Sequence, residues 1–380
     1  MARNKKKIIR SVTVPISCVF ISDVMRKLKG IGYEMVALSS PGPDLDKLKE
    51  EGFHCVEVPM ERHVSVVKDF KALCKMIRVL HKEKPYMIHS MTPKAGLLSM
   101  TAGWFTGVPI RVHTFTGLVW PTSTGLSRKI LMTTDKILCA CATHIIPEGV
   151  GVMNDLKNGG ITKKPMKVLG FGNVMGVDID RFDPTRFVNV KKDDSVFTFI
   201  YVGRIVKDKG INELVEAFTQ LHDKYNNTRL VLVGRYESDL DPVKQVTLDR
   251  IQSNPAVDAI GPQYGDDLLK EYIKADCFVM PSYREGFPNT VMEAGAMGLP
   301  SVVTDINGSR EIIINEENGL IVPPRTVKPL FEAMERMLID NEAREKMAGN
   351  ARHLIASRFE RSFVQQCLID YYKEILNDNE

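Results

Sequence analysis

The segment 275–300, ADCFVMPSYREGFPNTVMEAGAMGLP, constrains the fold more than any other part of the chain. Its apolar run 277–280 predicts a short buried strand that ends at Pro281. Pro288 suits the first turn of a helix, because its missing N–H would be unpaired there in any residue. Gly298 marks the end of that helix. The segment therefore predicts a strand that leads through a polar loop to a helix N-terminus.

Two carboxylates, Glu285 on the loop and Glu293 on the helix, suggest a ligand for this segment. The N–H groups at a helix start favour anions or hydroxyl oxygens. A carboxylate accepts hydrogen bonds, so Glu285 suits sugar hydroxyls, and Glu293 suits the two hydroxyls of a ribose. The ligand that fits both is a nucleotide sugar. The alternative is a solvated loop glutamate beside an ordinary helix glutamate.

The chain length predicts two domains, because 380 residues exceed one ordinary hydrophobic core. Basic residues exceed acidic ones by twelve in residues 1–190, whereas acidic residues exceed basic ones by eight in residues 191–380. A basic first half is equally consistent with an anionic partner or surface and with a mildly basic domain that has neither.

Several features point to the cytoplasm. The seven cysteines contain no CxxC pair, which predicts neither disulfides nor a zinc site. No apolar run reaches the roughly 18 residues that span a bilayer, and the basic start MARNKKKIIR lacks the apolar stretch of a signal peptide. We expect a cytoplasmic protein whose membrane contact, if it has any, is peripheral on the inner face.

Strands and helices alternate through the first half, which predicts a parallel, doubly wound sheet. We predict strands at 7–14, 33–38, 53–58, 87–91, 110–115, 137–142 and 166–169, and helices at 16–29, 66–82 and 95–105. In the helix 66–82, apolar residues including Val66 and Phe70 recur on one face, and lysines and arginines occupy the others. That basic face is either solvated or directed to a membrane surface.

Four residues mark a candidate site in the first half. Lys94 starts a small-residue helix, where a cation opposes the helix dipole unless an anion lies nearby. His113, Thr116 and Gly117 lie at or beyond the end of a predicted strand, the edge at which open α/β sheets bind ligands. The alternative for His113 is a hydrogen-bonded core residue.

The polar, proline-punctuated stretch 176–194 reads as an interdomain linker. Pairs of aspartates separated by one residue, which suggest a metal-bound sugar nucleotide, occur at Asp44/Asp46, Asp178/Asp180 and Asp239/Asp241. A spacing that recurs in three unrelated places is not specific, so we assign no metal.

In the second half, the strand 196–202 leads into GRIVKDKG at 203–210. Arg204, Lys207 and Lys209 crowd the approach to a helix N-terminus, an arrangement that a diphosphate ligand explains better than a solvated turn does. Further strands at 229–233, 259–261, 301–304 and 320–322 predict a second sheet, and Gly234, Gly261 and Gly308 mark its loops. An amphipathic helix at 362–376 closes the chain.

These motifs resemble those of the family 4 retaining glycosyltransferases of the GT-B fold. The similarity covers GRIVKDKG at 203–210, LVG at 232–234, PSYREGFPNTVMEAGAMGLP at 281–300 and NGLIVPP at 318–324. Looser matches are HSMTPKAG at 89–96 and GVDIDRF at 176–182, and RVHTFTG at 111–117 is similar to bacterial capsule and O-antigen transferases. The chain departs from the family in the loop TVPIS at 13–17, which has no glycine.

The resemblance implies an α/β protein with two Rossmann-like, doubly wound parallel-sheet domains that face each other across a cleft. It assigns acceptor binding to 1–180, a linker to 181–194 and nucleotide-sugar binding to 195–361. The last helix, about 362–380, would cross back to the first domain.

The resemblance also implies the roles of individual residues. Candidate catalytic residues are Glu285, Arg204, Lys209 and His113. The implied donor site contains Gly203, Arg204, Lys209, Gly234, Gly261, Tyr264, Glu285, Gly286, Phe287, Pro288, Asn289, Thr290 and Glu293. The implied acceptor site contains Lys94, His113, Thr116 and Gly117.

The implied activity is metal-independent transfer of a sugar from a nucleotide diphosphate sugar, with UDP-sugars favoured, and with retention of anomeric configuration. The implied acceptor is a saccharide or a lipid-diphosphate-linked saccharide in cell-envelope polysaccharide synthesis, near an anionic membrane. No cofactor and no nucleic acid are expected. The alternatives are a sugar-nucleotide epimerase, a hydrolase that uses Glu285 and Glu293, and a non-catalytic nucleotide-sugar-binding module.

Overall fold

The structure is a computed structural model that describes residues 6–61, 65–237 and 241–377. It divides into two compact units. The first comprises Met1–Met175 with Gln365–Glu380, and the second comprises Gly176–Val364.

The first unit is built on a six-stranded parallel sheet, as the alternating pattern predicted. The strands are β1 (Lys7–Ser11), β2 (Glu34–Ser39), β3 (His54–Glu57), β4 (Met87–Met91), β5 (Ile110–Phe115) and β6 (His144–Pro147). Their spatial order is β3-β2-β1-β4-β5-β6. The helices between them are α1 (Val19–Gly30), α2 (Pro43–Glu50), α3 (Val66–Glu83), α4 (Pro93–Phe105), α5 (Gly125–Cys141) and α6 (Val150–Asn158).

Two strand predictions for the first unit were wrong. The run 137–142 is the end of α5 and not a strand, because its apolar side chains continue a helical face. The run 166–169 forms only an isolated bridge, between Met166 and Ile145. On α3, Val66 and Phe70 are 81% and 65% exposed, and the buried residues are Ala72, Met76 and Leu80.

The second unit contains a second six-stranded parallel sheet. Its strands are β7 (Phe197–Val202), β8 (Thr228–Val233), β9 (Val257–Gly261), β10 (Cys277–Met280), β11 (Ser301–Thr304) and β12 (Gly319–Val322). The spatial order is β12-β11-β10-β7-β8-β9. The helices are α7 (Ile211–Lys224), α8 (Gln245–Ser253), α9 (Gly265–Lys274), α10 (Asn289–Ala296), α11 (Ser309–Ile312), α12 (Val327–Ile339) and α13 (Asn341–Phe359).

The order of strands reverses once in each sheet, between β1 and β4 and between β7 and β10. Chain connections leave such a point in opposite directions, which opens a crevice outside the carboxyl ends of the two strands. Ligands of open α/β sheets bind in that crevice. Each unit therefore has one topologically favoured place for a site.

The segment 181–194 belongs to the second unit, and two of its aromatic side chains, Phe182 and Phe187, lie in that unit's core. These two side chains give the segment a packing role in the second unit, and its role as an interdomain linker stays a prediction.

The last helix, α14 (Arg361–Asn377), starts in the second unit, and its residues from Gln365 onward belong to the first. Tyr372 is buried there and its hydroxyl accepts a hydrogen bond of 2.8 Å from Arg10 on β1. Residues 378–380 of the predicted helix lie outside the described part of the chain. No helix in the described ranges is long and apolar enough to cross a membrane.

Candidate active site

The loops that follow β7 and β10 are joined at the reversal point of the second sheet. The N–H of Tyr283 donates to the carbonyl oxygen of Asp208 at 2.8 Å, and the Arg284 guanidinium pairs with the Asp208 carboxylate at 3.1 Å. The hydroxyl of Tyr283 donates to the Glu213 carboxylate at 2.7 Å. These contacts hold the two predicted ligand loops against each other.

Lys209 and Glu285 form an ion pair between the same two loops. Their side chains are 17% and 14% exposed, so both charges are largely removed from solvent. The structure thus brings together a cation predicted to hold phosphate and a carboxylate predicted to hold sugar. Each charge neutralises the other.

Arg204 is the second cation predicted to hold phosphate, and it pairs with Glu237 at 2.8 Å. Arg235 binds the other oxygen of the same carboxylate at 2.9 Å. The hydrogen bond from Arg204 lowers the pKa of Glu237 below its usual range. Arg204 keeps 41% of its side chain exposed, so an anion can reach its guanidinium.

Two glycines allow these loops to approach closely. Gly234 lies against Gly203, and a Cβ atom at 234 would overlap the carbonyl oxygen of Gly203. Gly308 has φ +74°, and a Cβ atom there would overlap the carbonyl oxygen of Gly286. Neither position can hold a side chain unless the neighbouring loop moves.

The loop after β10 leads into α10 as the sequence indicated, but Pro288 lies directly before the helix and not in its first turn, which contains Asn289 and Thr290. The ring of Phe287 is buried and packs edge-on against Phe359, with centroids 5.3 Å apart. This packing anchors the loop, so that only the backbone at Phe287 is left to serve a ligand.

Glu293 lies further along α10 and accepts a hydrogen bond of 3.3 Å from the hydroxyl of Tyr272 on α9. Burial raises the pKa of Glu293, against the opposing effects of Tyr272, Arg181 and Arg361. The residue still keeps part of its surface exposed. A carboxyl whose pKa is shifted by burial and that retains an accessible face is a candidate for ligand binding.

Gly261 and Tyr264 follow the edge strand β9. The carbonyl oxygen of Gly261 accepts a hydrogen bond of 3.0 Å from the N–H of Gly234, which ties its loop to the others. Tyr264 is exposed just before α9. Both lie one strand or more away from the Lys209–Glu285 pair.

The carboxyl edge of the first sheet holds a cavity of about 530 Å³. Lys94 and Gly117 are among its lining residues, and Thr116 is not. The ammonium of Lys94 pairs with the Asp69 carboxylate at 2.7 Å. The cavity also contains Asp135, whose pKa is raised to about 7 by burial.

His113, to which the resemblance assigns a catalytic and acceptor-binding role, is not among the residues that line this cavity. It is buried under Gly96 of α4, and its Nδ1 is 2.9 Å from the hydroxyl of Ser90. Burial lowers the pKa of His113 to about 3, so the ring is neutral at physiological pH. In a strand buried on both faces, sequence position does not show which side chains reach the ligand edge.

The described residues contain no group of three His, Cys, Asp or Glu side chains placed to hold a metal ion. Asp178 instead pairs with Arg361 at 3.4 Å, and Asp44 and Asp46 pair with Lys47 and Lys49 on α2. Asp239 lies outside the described residues.

Sequence reasoning missed the partners that hold the site together, namely Asp208, Glu213, Glu237 and Tyr283. Asp208 stands between two lysines, and Glu237 follows Gly234 by three positions. The sequence offered no stronger indication of these roles, because the contacts join residues that are far apart in the chain.

Comparison with known proteins identifies the family. Residues 183–354 match the family described as glycosyl transferases group 1, and residues 19–172 match the glycosyl transferase 4-like domain. The chain is 31% identical to the capsular polysaccharide biosynthesis glycosyltransferase CapM of Staphylococcus aureus, over 99% of both chains.

Two further proteins are similar. An Escherichia coli UDP-Gal:alpha-D-GlcNAc-diphosphoundecaprenol alpha-1,3-galactosyltransferase is 27% identical over 78% of each chain. The solved structure of sucrose-phosphate synthase from Thermosynechococcus elongatus superimposes with a TM-score of 0.79 at 20% identity, covering 98% of this chain and 100% of that one. The second comparison supports the fold alone. With two Rossmann-type sheets, two matching family regions and a full-length relative, this chain is an enzyme that belongs to the family 4 glycosyltransferases of the GT-B fold.

Proposed function

We propose that this enzyme transfers a sugar from a nucleotide diphosphate sugar, with a UDP-sugar favoured, to a lipid-diphosphate-linked saccharide. The observation that carries the proposal is the meeting of Lys209 and Glu285 at the reversal point of the second sheet, with Arg204 on the same loop as Lys209. Two cations and a carboxylate at a sheet edge suit a diphosphate joined to a polyhydroxylated sugar.

The donor would bind by exchanging partners within the site. Its diphosphate would draw Lys209 from Glu285 and contact the exposed part of Arg204. Glu285 would then be free to accept hydrogen bonds from sugar hydroxyls, together with the backbone of Gly286 and Phe287. Glu293 would accept hydrogen bonds from the ribose hydroxyls.

In the proposed reaction, the bond between the anomeric carbon and the diphosphate oxygen breaks while the acceptor oxygen bonds to the same carbon. Attack from the face of the leaving group retains the anomeric configuration, and the diphosphate oxygen takes the proton of the acceptor hydroxyl. Arg204 and Lys209 would stabilise the negative charge that develops on the departing diphosphate. We therefore propose that the reaction needs no metal ion.

The proposal for the acceptor is supported by the names of two similar proteins. The E. coli relative carries diphosphoundecaprenol in the name of its acceptor, and CapM serves capsular polysaccharide biosynthesis. An acceptor of this kind lies in a membrane, so we propose that the enzyme works in the cytoplasm, peripherally bound to the anionic inner face. The family assignment favours this transferase over an epimerase, a hydrolase or a non-catalytic module.

Thermal stabilisation by a panel of nucleotide sugars tests the donor site, because a ligand that binds only the folded state raises the melting temperature. We expect one nucleotide sugar to stabilise the wild type and to lose that effect in Glu293→Ala. Glu332→Ala, on the exposed side of α12, is the matched control and should keep the shift. If no nucleotide sugar stabilises the wild type, the proposal is wrong.

A further inference from the structure

The cavity of the first unit has a composition that a saccharide does not explain. Most of its lining is apolar, with side chains from α4, from the end of β5 and the loop after it, and from α5 that include Leu97, Leu98, Phe115, Leu118 and Leu131. Its volume of about 530 Å³ is within the range of small-molecule sites, about 300–1,000 Å³. Sugar hydroxyls placed against this wall would lose their hydrogen bonds to water without replacement.

Polar groups lie among the apolar ones in the lining, on the strand-end loops. Thr13 and Thr92 come from the loops after β1 and β4, and their hydroxyls are 2.7 Å apart. Lys94 follows on α4, where Asp69 partly balances its charge. A ligand that matches such a cavity has an anionic or strongly polar head and a hydrocarbon body.

The surface beside the cavity is unusually apolar. Ile130 lines the cavity and is also exposed, and Val119 and Leu126 are exposed close to it in sequence. On α3, Val66 and Phe70 are exposed within one turn of Asp69, another lining residue. Exposed apolar side chains clustered beside a cavity mark a surface that meets a membrane or another apolar partner.

Basic residues accompany these side chains. Arg128 and Lys129 are exposed on α5 beside Ile130, and Lys71 is exposed on α3 beside Phe70. Lys68 is exposed on the same helix and pairs with Glu61. Apolar side chains interleaved with cations suit the headgroup region of an anionic bilayer. The cavity mouth and its surroundings thus favour a lipid over a protein partner.

We propose that this cavity binds the hydrocarbon chain of the lipid-linked acceptor, next to its diphosphate. The head would lie toward Lys94 and the strand-end loops, and the first units of the chain would lie against Phe115, Trp120 and Leu131. The assignment rests on the proposed function for the identity of the acceptor. It adds that the enzyme recognises the lipid as well as the saccharide.

Trp120 gives a direct readout of the cavity. Its indole is buried in the lining, beside the carboxyl group of Asp135. The chain has one other tryptophan, Trp104, which is exposed on α4. In a Trp104→Phe background, fluorescence therefore reports on Trp120 alone.

The binding experiment titrates this variant with farnesyl diphosphate, dodecyl diphosphate and inorganic diphosphate. We expect saturable changes in Trp120 emission, with Kd for farnesyl diphosphate at least tenfold below Kd for inorganic diphosphate. Thr134→Phe, which fills the cavity from α5, should remove that difference, and Ile137→Ser on the exposed side of the same helix should not. Tighter binding of farnesyl than dodecyl diphosphate would identify an isoprenoid site, and equal binding would identify a general hydrocarbon site. Equal Kd values for farnesyl and inorganic diphosphate would overturn the proposal.

A kinetic experiment separates this inference from the proposed function. Two acceptors carry the same saccharide diphosphate, one on a methyl group and one on a farnesyl chain. We expect kcat/KM to favour the farnesyl acceptor at least tenfold in the wild type and less than threefold in Thr134→Phe. Transfer to both acceptors without preference would refute the lipid site but would still agree with the proposed transferase function. Transfer to neither acceptor would refute the proposed function, while the fluorescence titration would still decide the cavity.

Discussion

Lys209 and Glu285 form an ion pair although they lie 76 residues apart and follow two different strands, β7 and β10. The strand order of the second sheet makes β7 and β10 neighbours at the point where the chain reverses direction. The pair thus results from the topology of the sheet, and it occupies the place where a doubly wound fold binds its ligand. A donor has to separate it in order to bind as proposed.

The ion pair predicts a measurable coupling between its two residues. In Lys209→Met or Glu285→Gln, the remaining partner is left largely buried, so each single variant should lose about 1–3 kcal/mol of unfolding free energy. The double variant should lose less than the sum, and denaturant unfolding of all four proteins gives the coupling. The exposed pair Lys270/Asp267 on α9 is the control and should show none. Strictly additive losses at Lys209 and Glu285 would contradict the paired geometry.

Arg204 and Arg235 offer a matched comparison, since both bind Glu237. Only Arg204 is assigned to the departing diphosphate. Arg204→Ala should lower kcat by about 10²–10³ because a positioned charge in the transition state is lost. Arg235→Ala should remain within a few-fold of the wild type. Steady-state kinetics at saturating donor measure kcat for both variants. Equal losses of kcat would mean that the loss in Arg204→Ala comes from the disturbed Glu237 and not from a missing contact with the diphosphate.

Alanine variants at Gly308 and Gly298 distinguish the effect of loop packing from the effect of backbone strain. Both have positive φ, +74° and +84°, but a side chain at 298 would enter open space, whereas one at 308 would strike the loop at Gly286. Alanine should cost about 1–2 kcal/mol of unfolding free energy at either position through its left-handed conformation. Gly308→Ala should in addition raise the Kd of the donor at least tenfold, measured by calorimetry. Unchanged donor affinity in Gly308→Ala would show that the loop at Gly286 does not contact the donor.

Asp135 predicts a pH dependence of stability. Its pKa of about 7 in the folded chain lies above the usual aspartate value near 3.8, so folding favours the protonated form. The wild type therefore loses stability as pH rises through the interval between these values, up to about 7. The neighbouring thiol of Cys139 has its pKa raised to about 12 by burial and stays neutral there. As the pH rises from 5 to 8, the unfolding free energy of Asp135→Asn should therefore increase by about 2 kcal/mol relative to that of the wild type.

Chemical denaturation at several pH values measures this difference. Asp44→Asn, at a partly exposed position on α2, serves as the control and should follow the wild type. A constant difference between Asp135→Asn and wild type across the range would show that Asp135 is ionised throughout.

The second sheet and its loops were predictable because their signals are local. The apolar run before Pro281, the glycines at strand ends and the proline before α10 each report the backbone at their own position. The contacts of Tyr283 with Asp208 and Glu213 were not predictable, because they join residues that only the folded sheet brings together. The same limit applied to the pairing of Arg204 with Glu237.

In the first unit, the apolar pattern was ambiguous in two places. Ile137 begins a short apolar run that resembles a buried strand, but the run continues the apolar spacing of α5 from Ile130 onward. On α3, Val66 and Phe70 share helical spacing with core residues and yet are exposed. Periodicity identifies an apolar face without showing whether protein or membrane covers it. The hydrocarbon site proposed above accounts for these exposed residues.

The most direct test of the account is product analysis with the stabilising nucleotide sugar and a polyprenyl-diphosphate saccharide. Mass spectrometry should show an acceptor extended by one sugar for each nucleotide diphosphate released, in buffer that contains a metal chelator. Nuclear magnetic resonance of the product should show the anomeric configuration of the donor, and Glu285→Gln should abolish product formation. Release of free sugar without an extended acceptor would contradict the transferase assignment, and an inverted linkage would contradict the proposed attack from the leaving-group face.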